Sequence, residues 1–142
     1  MNRLVLGIVF CLPLKHISLT SPFGYRLHPV TGIYAFHSGV DLRARHDTVF
    51  AILDGVIELE RYDHLLGLAI TMDHGDLNSI YGHLSQLLVL PGDTVRAGEA
   101  IAITGTTGRV TGEHLHFSIR FKNQYIDPLK FLNALIITKN HE

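Results

Sequence analysis

The strongest constraint on the fold of this chain is the grouping of its apolar residues into short alternating runs, each closed by Gly, Pro, Asn or Asp. Side chains of a strand point to opposite faces in turn, so strict alternation marks a half-buried strand, whereas a helix needs apolar positions three and four apart over a longer window. Leu68 to Asp73 alternates, with Leu68, Ile70 and Met72 on one face, and His74-Gly75-Asp76 turns it into a run from Leu77 to His83. Thr48 to Leu53, the Asp54-Gly55 turn and Val56 to Arg61 read as a hairpin. His16 to Thr20, Ala100 to Thr104 and His114 to Arg120 are further strands, with Pro91-Gly92-Asp93 and Ala97-Gly98-Glu99 as punctuation. Ser21 to Asp47 alternates poorly, is rich in Gly, Pro and Arg, and reads as a long functional loop. Only near the end does the pattern change: Asp127-Pro128 is an N-cap and first-position pair for a short helix carrying Leu129, Phe131 and Leu132. The expected class is all-β, a sandwich or barrel with a short C-terminal helix.

The run Glu113 to Ile119 carries the most chemistry. Alternation makes Leu115, Phe117 and Ile119 a continuous apolar face, which forces His114, His116 and Ser118 onto the other. The two imidazoles then stand about 6–7 Å apart at their Cα atoms, so one can hold a metal while the other addresses water on it. His37-Ser38-Gly39-Val40-Asp41 adds an imidazole and a carboxylate four residues apart, beside a glycine that permits a tight backbone path. Two histidine nitrogens and one aspartate oxygen make a three-ligand zinc site with a fourth position left for water. Zinc so held lowers the pKa of that water to about 7 and polarises a carbonyl. An imidazole is well matched to take the proton at neutral pH. His114 is one candidate; His83 is another, sharing a strand face with Tyr81 by alternation. Glu113 falls on the opposite face from both histidines of its strand and is not part of a helical His-Glu-x-x-His pattern, so it is not expected to be the base. His16, His28, His46, His64, His74 and His141 sit in polar or turn-like contexts and are expected to be structural or exposed.

A length of 142 residues, 46% of them hydrophobic and 18% charged, fits one folded domain. The formal net charge of -1 leaves no basic surface to argue for nucleic acid or anionic lipid. Cys11 is the sole cysteine, which excludes an intrachain disulfide and a cysteine-based zinc site. Met1-Asn2-Arg3 and the apolar run Leu4 to Leu14 resemble a short export signal; they lack a small-x-small cleavage site and are too short for a membrane span. Phe10 argues against lipid attachment at Cys11, and Val9 to Leu14 can instead be read as the first apolar segment of the domain. The expected organisation is therefore an N-terminal segment over 1–14, the domain over 15–135 and a tail over 136–142.

Taken in order, several motifs resemble the lysostaphin-type zinc endopeptidases, whose domain is also called LytM. They are Ser21-Pro22-Phe23-Gly24-Tyr25-Arg26, His28-Pro29-Val30-Thr31-Gly32, His37-x-Gly39-Val40-Asp41, Tyr81-Gly82-His83-Leu84, Gly105-Thr106-Thr107-Gly108, His114-Leu115-His116-Phe117 and Asp127-Pro128. The resemblance runs from about Ser21 to Leu132; Glu113 departs from it, at a position often held by proline. It implies antiparallel β-sheets in an open sandwich or barrel-like domain, with a groove and one zinc ion at its floor. It further implies His37, Asp41 and His116 as ligands, His83 and His114 as the catalytic pair, and Arg26 and Tyr81 as substrate contacts. The implied substrate is a peptide bond of bacterial peptidoglycan, in a stem-peptide cross-link or a bridge, which places the protein in the cell envelope, expected as a monomer without a membrane span. Relatives that lose ligands serve as regulators of other wall enzymes, so a non-catalytic regulator is the alternative. A cupin-like oxygenase would add a glutamate soon after His-x-His, but no acidic residue follows His116 until Asp127. A biotinyl or lipoyl carrier would need a lysine on a turn, and none lies between Lys15 and Lys122.

Overall fold

A computed structural model describes residues 9–140 of the chain. The elements are β1 (Leu19–Ser21), β2 (Gly24–Leu27), β3 (Tyr34–His37), β4 (Val40–Arg43), β5 (Thr48–Phe50), β6 (Gly55–Asp63) and β7 (Gly67–Asp73), followed by β8 (Leu77–Leu87), β9 (Thr94–Val95), β10 (Ala100–Thr104), β11 (His114–Phe121), β12 (Gln124–Ile126) and α1 (Pro128–Asn140). The principal sheet is antiparallel and ordered β1-β4-β11-β8-β7-β6-β9, with β12 on β11 and β10 bridging β8 and β5. β1 and β9 end the path without pairing each other, so the sheet is open. The all-β expectation with a C-terminal helix is borne out.

Alternation explains the placement of the core. Leu42, Leu115, Phe117, Ile119, Ile70, Met72 and Tyr81 are almost fully buried on one side of the sheet. α1 closes that side through Leu132, with Leu129, Phe131 and Leu135 packed alongside. Its start is capped as read from sequence: Asp127 Oδ1 accepts the Leu129 N–H at 3.1 Å, and the ring of Pro128 replaces a donor that would otherwise be unpaired. The helix runs on to Asn140, across the boundary expected at residue 135.

Three expectations fall to the pairing pattern. β5 and β6 do not form a hairpin: β5 pairs with β10, and β6 pairs with β7 and β9. Asp54-Gly55 lies between them, but each flanking strand takes its partners elsewhere in the chain. Ser21 to Asp47 is not one loop; it contains β2 and β3, a separate two-stranded sheet, and β4, and alternation there is obscured because the strands are only four residues long. Tyr81 and His83 do not share a face. Three residue steps on β8, from Tyr81 to Leu84, match two on β7, from Ile70 to Leu68, so a bulge inserts one extra residue. His83 absorbs it with φ +61 and turns to the side opposite Tyr81. Its N–H donates to Leu66 O at 2.6 Å and its carbonyl accepts the Gly105 N–H at 2.8 Å, so the bulge leaves neither group unpaired.

Of the N-terminal segment, residues 1–8 lie outside the described residues, as does His141. The rest packs onto the domain: the Cys11 N–H donates to Ile52 O at 2.8 Å, the Phe50 N–H donates to Pro13 O at 2.9 Å, and Leu14 is in the core.

Candidate metal centre and flanking groove

β4 and β11 are adjacent and in register, with Asp41 opposite His116 and Arg43 opposite His114. Since directly opposed residues share a face, all four rise on the side away from the core. β3 ends at His37, and Ser38-Gly39 returns the chain into β4, which brings His37 over the same spot. That return passes so close to β11 that a Cβ on Gly39 would collide with Ser118 Oγ and the Phe117 carbonyl. The glycine is required by close approach, not by an unusual φ.

His37 Nε2, Asp41 Oδ1 and His116 Nδ1 form a nearly equilateral triangle. His37 Nε2 lies 3.3 Å from Asp41 Oδ1, the two imidazole nitrogens are 3.3 Å apart, and His116 Nδ1 is 3.2 Å from Asp41 Oδ1. A tetrahedral zinc with bonds of about 2.0–2.1 Å spaces its ligand atoms about 3.3–3.4 Å apart, so the triangle fits one face of that tetrahedron. The outer nitrogens are held as well. His37 Nδ1 is 2.9 Å from Pro22 O, which can only accept, so the proton sits on Nδ1 and the Nε2 lone pair faces inward. His116 Nε2 lies 2.9 Å from Ser118 Oγ, which can accept its proton when Nδ1, the inward atom, ligates. Burial alone would push the Asp41 carboxyl up, but hydrogen bonding with His116 and His37 and the charge of the imidazoles around it hold it well below the usual carboxylate range. Burial pushes the His116 imidazole down, toward the neutral form that ligates. One cation between the three inward atoms would satisfy them together, in place of the protons they otherwise share.

Two further imidazoles stand at the rim. His83 and His114 have ring centroids 4.8 Å apart, and His83 is 6.0 Å from the His116 ring. The N–H on His83 Nδ1 donates to Thr107 O at 2.7 Å, so Nε2 carries the free lone pair; burial pushes its pKa down to about 4. His114 is bounded by acceptors at both nitrogens, Gly112 O at 3.1 Å and Asp41 Oδ1 at 3.4 Å. A groove of about 180 Å³ opens over this set, bordered by Arg26, His28, Leu66 and Arg109. Arg26 enters it from β2, its Nη2 3.9 Å from Asp41 Oδ2, while Nε and Nη1 are buried without a hydrogen-bond partner.

The sequence-predicted residues therefore converge, with one correction. His37, Asp41, His116, His83, His114 and Arg26 all border the groove. Tyr81 does not: it is fully buried, and its hydroxyl accepts from Ser79 Oγ at 2.8 Å and from the Ile52 N–H at 3.2 Å. Burial raises that phenol well above its ordinary pKa, so it is a core residue and not a substrate contact. Glu113 lies clear of the groove, accepting from the His46 N–H and from Thr104 Oγ1 at 2.8 Å. His28 borders the groove but spends Nδ1 on the N–H groups of Val30 and Thr31, and His74 bridges Asp54 O and Ser79 Oγ. Ser118 and Thr107, which hold His116 and His83, escaped the sequence reading as anchors. Ser118 was visible only as the third member of a polar strand face, and Thr107 only as part of a glycine-bounded motif.

An open antiparallel sheet with two histidines and an aspartate aimed at one point, and two more imidazoles beside them, defines a metallopeptidase-type domain. The chain belongs to Peptidase family M23, whose sequence profile matches residues 35–128, and the lysostaphin-type resemblance is borne out. The catalytic domain of lysostaphin from Staphylococcus simulans superposes with a TM-score of 0.75 at 30% identity, over 82% of this chain and 92% of that one. A zinc-containing peptidase from Vibrio cholerae matches with a TM-score of 0.75 at 35% identity, over 81% of this chain and 37% of that one. The DD-carboxypeptidase/endopeptidase Mpg of Neisseria meningitidis is 39% identical over 119 residues, covering 82% of this chain and 27% of the relative. The chain thus spans about a quarter of the length of the curated relatives it matches.

Proposed function

We propose that this chain is a zinc-dependent endopeptidase that hydrolyses peptide bonds of bacterial peptidoglycan, in stem-peptide cross-links or bridges. The observation that carries the reading is the triangle of inward-facing acceptors with outward ring protons held by Pro22 O and Ser118 Oγ. His37, Asp41 and His116 would hold one zinc ion. Bound there, zinc would supply Lewis-acid polarisation of a peptide carbonyl and would make a water molecule more acidic. His83 is the base in this reading: Thr107 O holds its Nδ1 proton, so the Nε2 lone pair is free, and burial favours the neutral ring. His114 is the acid in this reading, its ring lying between Gly112 O at 3.1 Å and Asp41 Oδ1 at 3.4 Å at the rim of the site. Arg26 has two buried nitrogens, Nε and Nη1, without partners, which a substrate carbonyl could satisfy if the side chain turns toward it. Water adds to the carbonyl carbon, the C–N bond breaks, and the amine leaves protonated.

Family membership and relatives named for wall peptidases support the substrate class, and the site of action is then the cell envelope. No helix among the described residues is long and apolar enough to cross a membrane. The test is a digest of purified peptidoglycan by zinc-loaded protein, read by mass spectrometry for released amines and named bonds. Product must vanish with a chelator and return with zinc. A protein that binds zinc but leaves peptidoglycan intact is no peptidase.

A further inference from the structure

A second cleft lies apart from the metal centre. It measures about 800 Å³ and is lined by Leu14 and Phe50 below and by Lys15, His16, Arg43 and Arg45 around the edge. Its wall is the segment after Pro13, pinned by the Phe50 N–H on Pro13 O at 2.9 Å and the Arg43 N–H on Ser18 O at 2.8 Å. Two acidic residues also border it, but both carboxylates are turned to other work. Asp47 Oδ2 accepts the Arg45 N–H at 2.8 Å, and Glu113 Oε2 accepts from His46 and Thr104. None of the ion pairs among the described residues involves Lys15, Arg43 or Arg45. The cleft thus sets three cationic side chains, none of them in any of those ion pairs, against two carboxylates already held by hydrogen bonds, with Phe50 as apolar surface.

Its position relative to the metal centre follows from strand register. Arg43 is two residues beyond Asp41 on β4 and directly opposite His114 on β11, so it stands on the same face as both. Two strand residues span about 6.6 Å, the separation of neighbouring alternate side chains along an extended peptide. An extended substrate running parallel to β4 over the metal ligands would reach Arg43 within two residues.

We propose that this cleft is a specificity subsite that takes a carboxylate of the peptide substrate within two residues of the scissile bond, with Arg43 as the principal contact and Lys15 and Arg45 in support. The inference rests on the peptidase reading above and adds to it the charge of the substrate. Arginine suits the role because its planar fork can pair with both carboxylate oxygens. Phe50, half-buried, supplies apolar surface for an aliphatic arm beside that group.

The test uses two synthetic cross-linked stem peptides that differ only in a free carboxylate or a carboxamide on the diamino acid next to the cross-link. kcat/KM on each by zinc-loaded protein and dissociation constants for each with metal-free protein give two independent readouts. Wild-type protein is expected to favour the carboxylate at least about tenfold in both, the order that one charge-assisted hydrogen bond gives. Arg43→Gln is expected to bring both ratios near one, while Arg61→Gln, an exposed arginine on β6 away from either cleft, is expected to keep them. Equal binding and equal turnover of the two peptides by wild type, or a preference that survives Arg43→Gln together with Lys15→Gln, overturns the subsite. Preferential binding without hydrolysis of either peptide keeps the subsite and overturns the peptidase reading instead.

Discussion

Ser118→Ala is the sharpest probe of the metal centre, because it leaves every candidate ligand in place. The hydroxyl lies 2.9 Å from His116 Nε2 and is buried with it. Without it the ring has two options. It can keep the proton on Nε2 as a buried, unpaired donor, at a cost of about 1–3 kcal/mol. Alternatively it can move the proton to Nδ1, which then cannot ligate. Either option weakens metal binding by about 10–100-fold, the usual effect of losing a ligand's outer partner, equivalent to about 1.4–2.7 kcal/mol. The assay is competition for zinc against a chromophoric chelator, with urea unfolding of the metal-free protein alongside. Ser118→Thr, which keeps the hydroxyl, is expected to hold zinc more tightly than Ser118→Ala. If Ser118→Ala binds zinc as tightly as wild type while remaining folded, Nδ1 is not the ligand atom of His116 and the assigned ring orientation is wrong.

The remaining predictions separate metal binding, catalysis, packing and pH. His37→Ala, Asp41→Ala and His116→Ala should each bring zinc content from one ion per chain to near none by mass spectrometry under native conditions. His83→Ala and His114→Ala should keep the ion and lose about 10²–10⁴-fold in kcat, the range of a general acid or base; equal loss of metal would contradict the division of roles. Gly39→Ala puts a methyl group into Ser118 and the β11 backbone, so urea unfolding should report a loss of about 1–3 kcal/mol; an unchanged midpoint would mean that the β3–β4 return relaxes freely. Metal-free protein should lose stability as pH falls from about 6.5 towards 4. Burial holds the His83 pKa at about 4 while the unfolded chain takes up its proton near 6.5, so unfolding is favoured across that window. The His83 share between pH 7 and pH 5 is on the order of 1 kcal/mol, allowing for solvent at the groove, and His83→Gln should flatten that part of the profile.

Parts of the site are legible because their chemistry is local. Leu115, Phe117 and Ile119 must be buried, so His114, His116 and Ser118 must face the other way; no partner strand is needed for that conclusion. The ordered motifs from Ser21 to Pro128 likewise identify the family before any contact is known. Pairing is different, since a strand's neighbours depend on residues far away in the chain. Thr48 to Phe50 looks like half of a hairpin with β6, yet its partner is β10, which follows only after β6, β7, β8 and β9 have been laid down. The same limit produced the misplacement of Tyr81. Alternation assumes one residue per step, and the bulge at Gly82-His83 breaks that assumption through a pairing with β7 that the run from Leu77 to His83 does not encode by itself.

What the sequence determined alone, then, is the class of fold, the family, and the polar face that carries His114 and His116, because period and residue type act within a few positions. Only the tertiary structure decided which atoms meet. It set Asp41 opposite His116 by strand register, aimed the His37 and His116 lone pairs inward through Pro22 and Ser118, and swung His83 across the sheet by one extra residue. It also gathered Lys15 and Arg45 into the cleft that Arg43 lines. Each of these is a long-range geometric outcome of packing a shared core, and packing is a property of all the strands together.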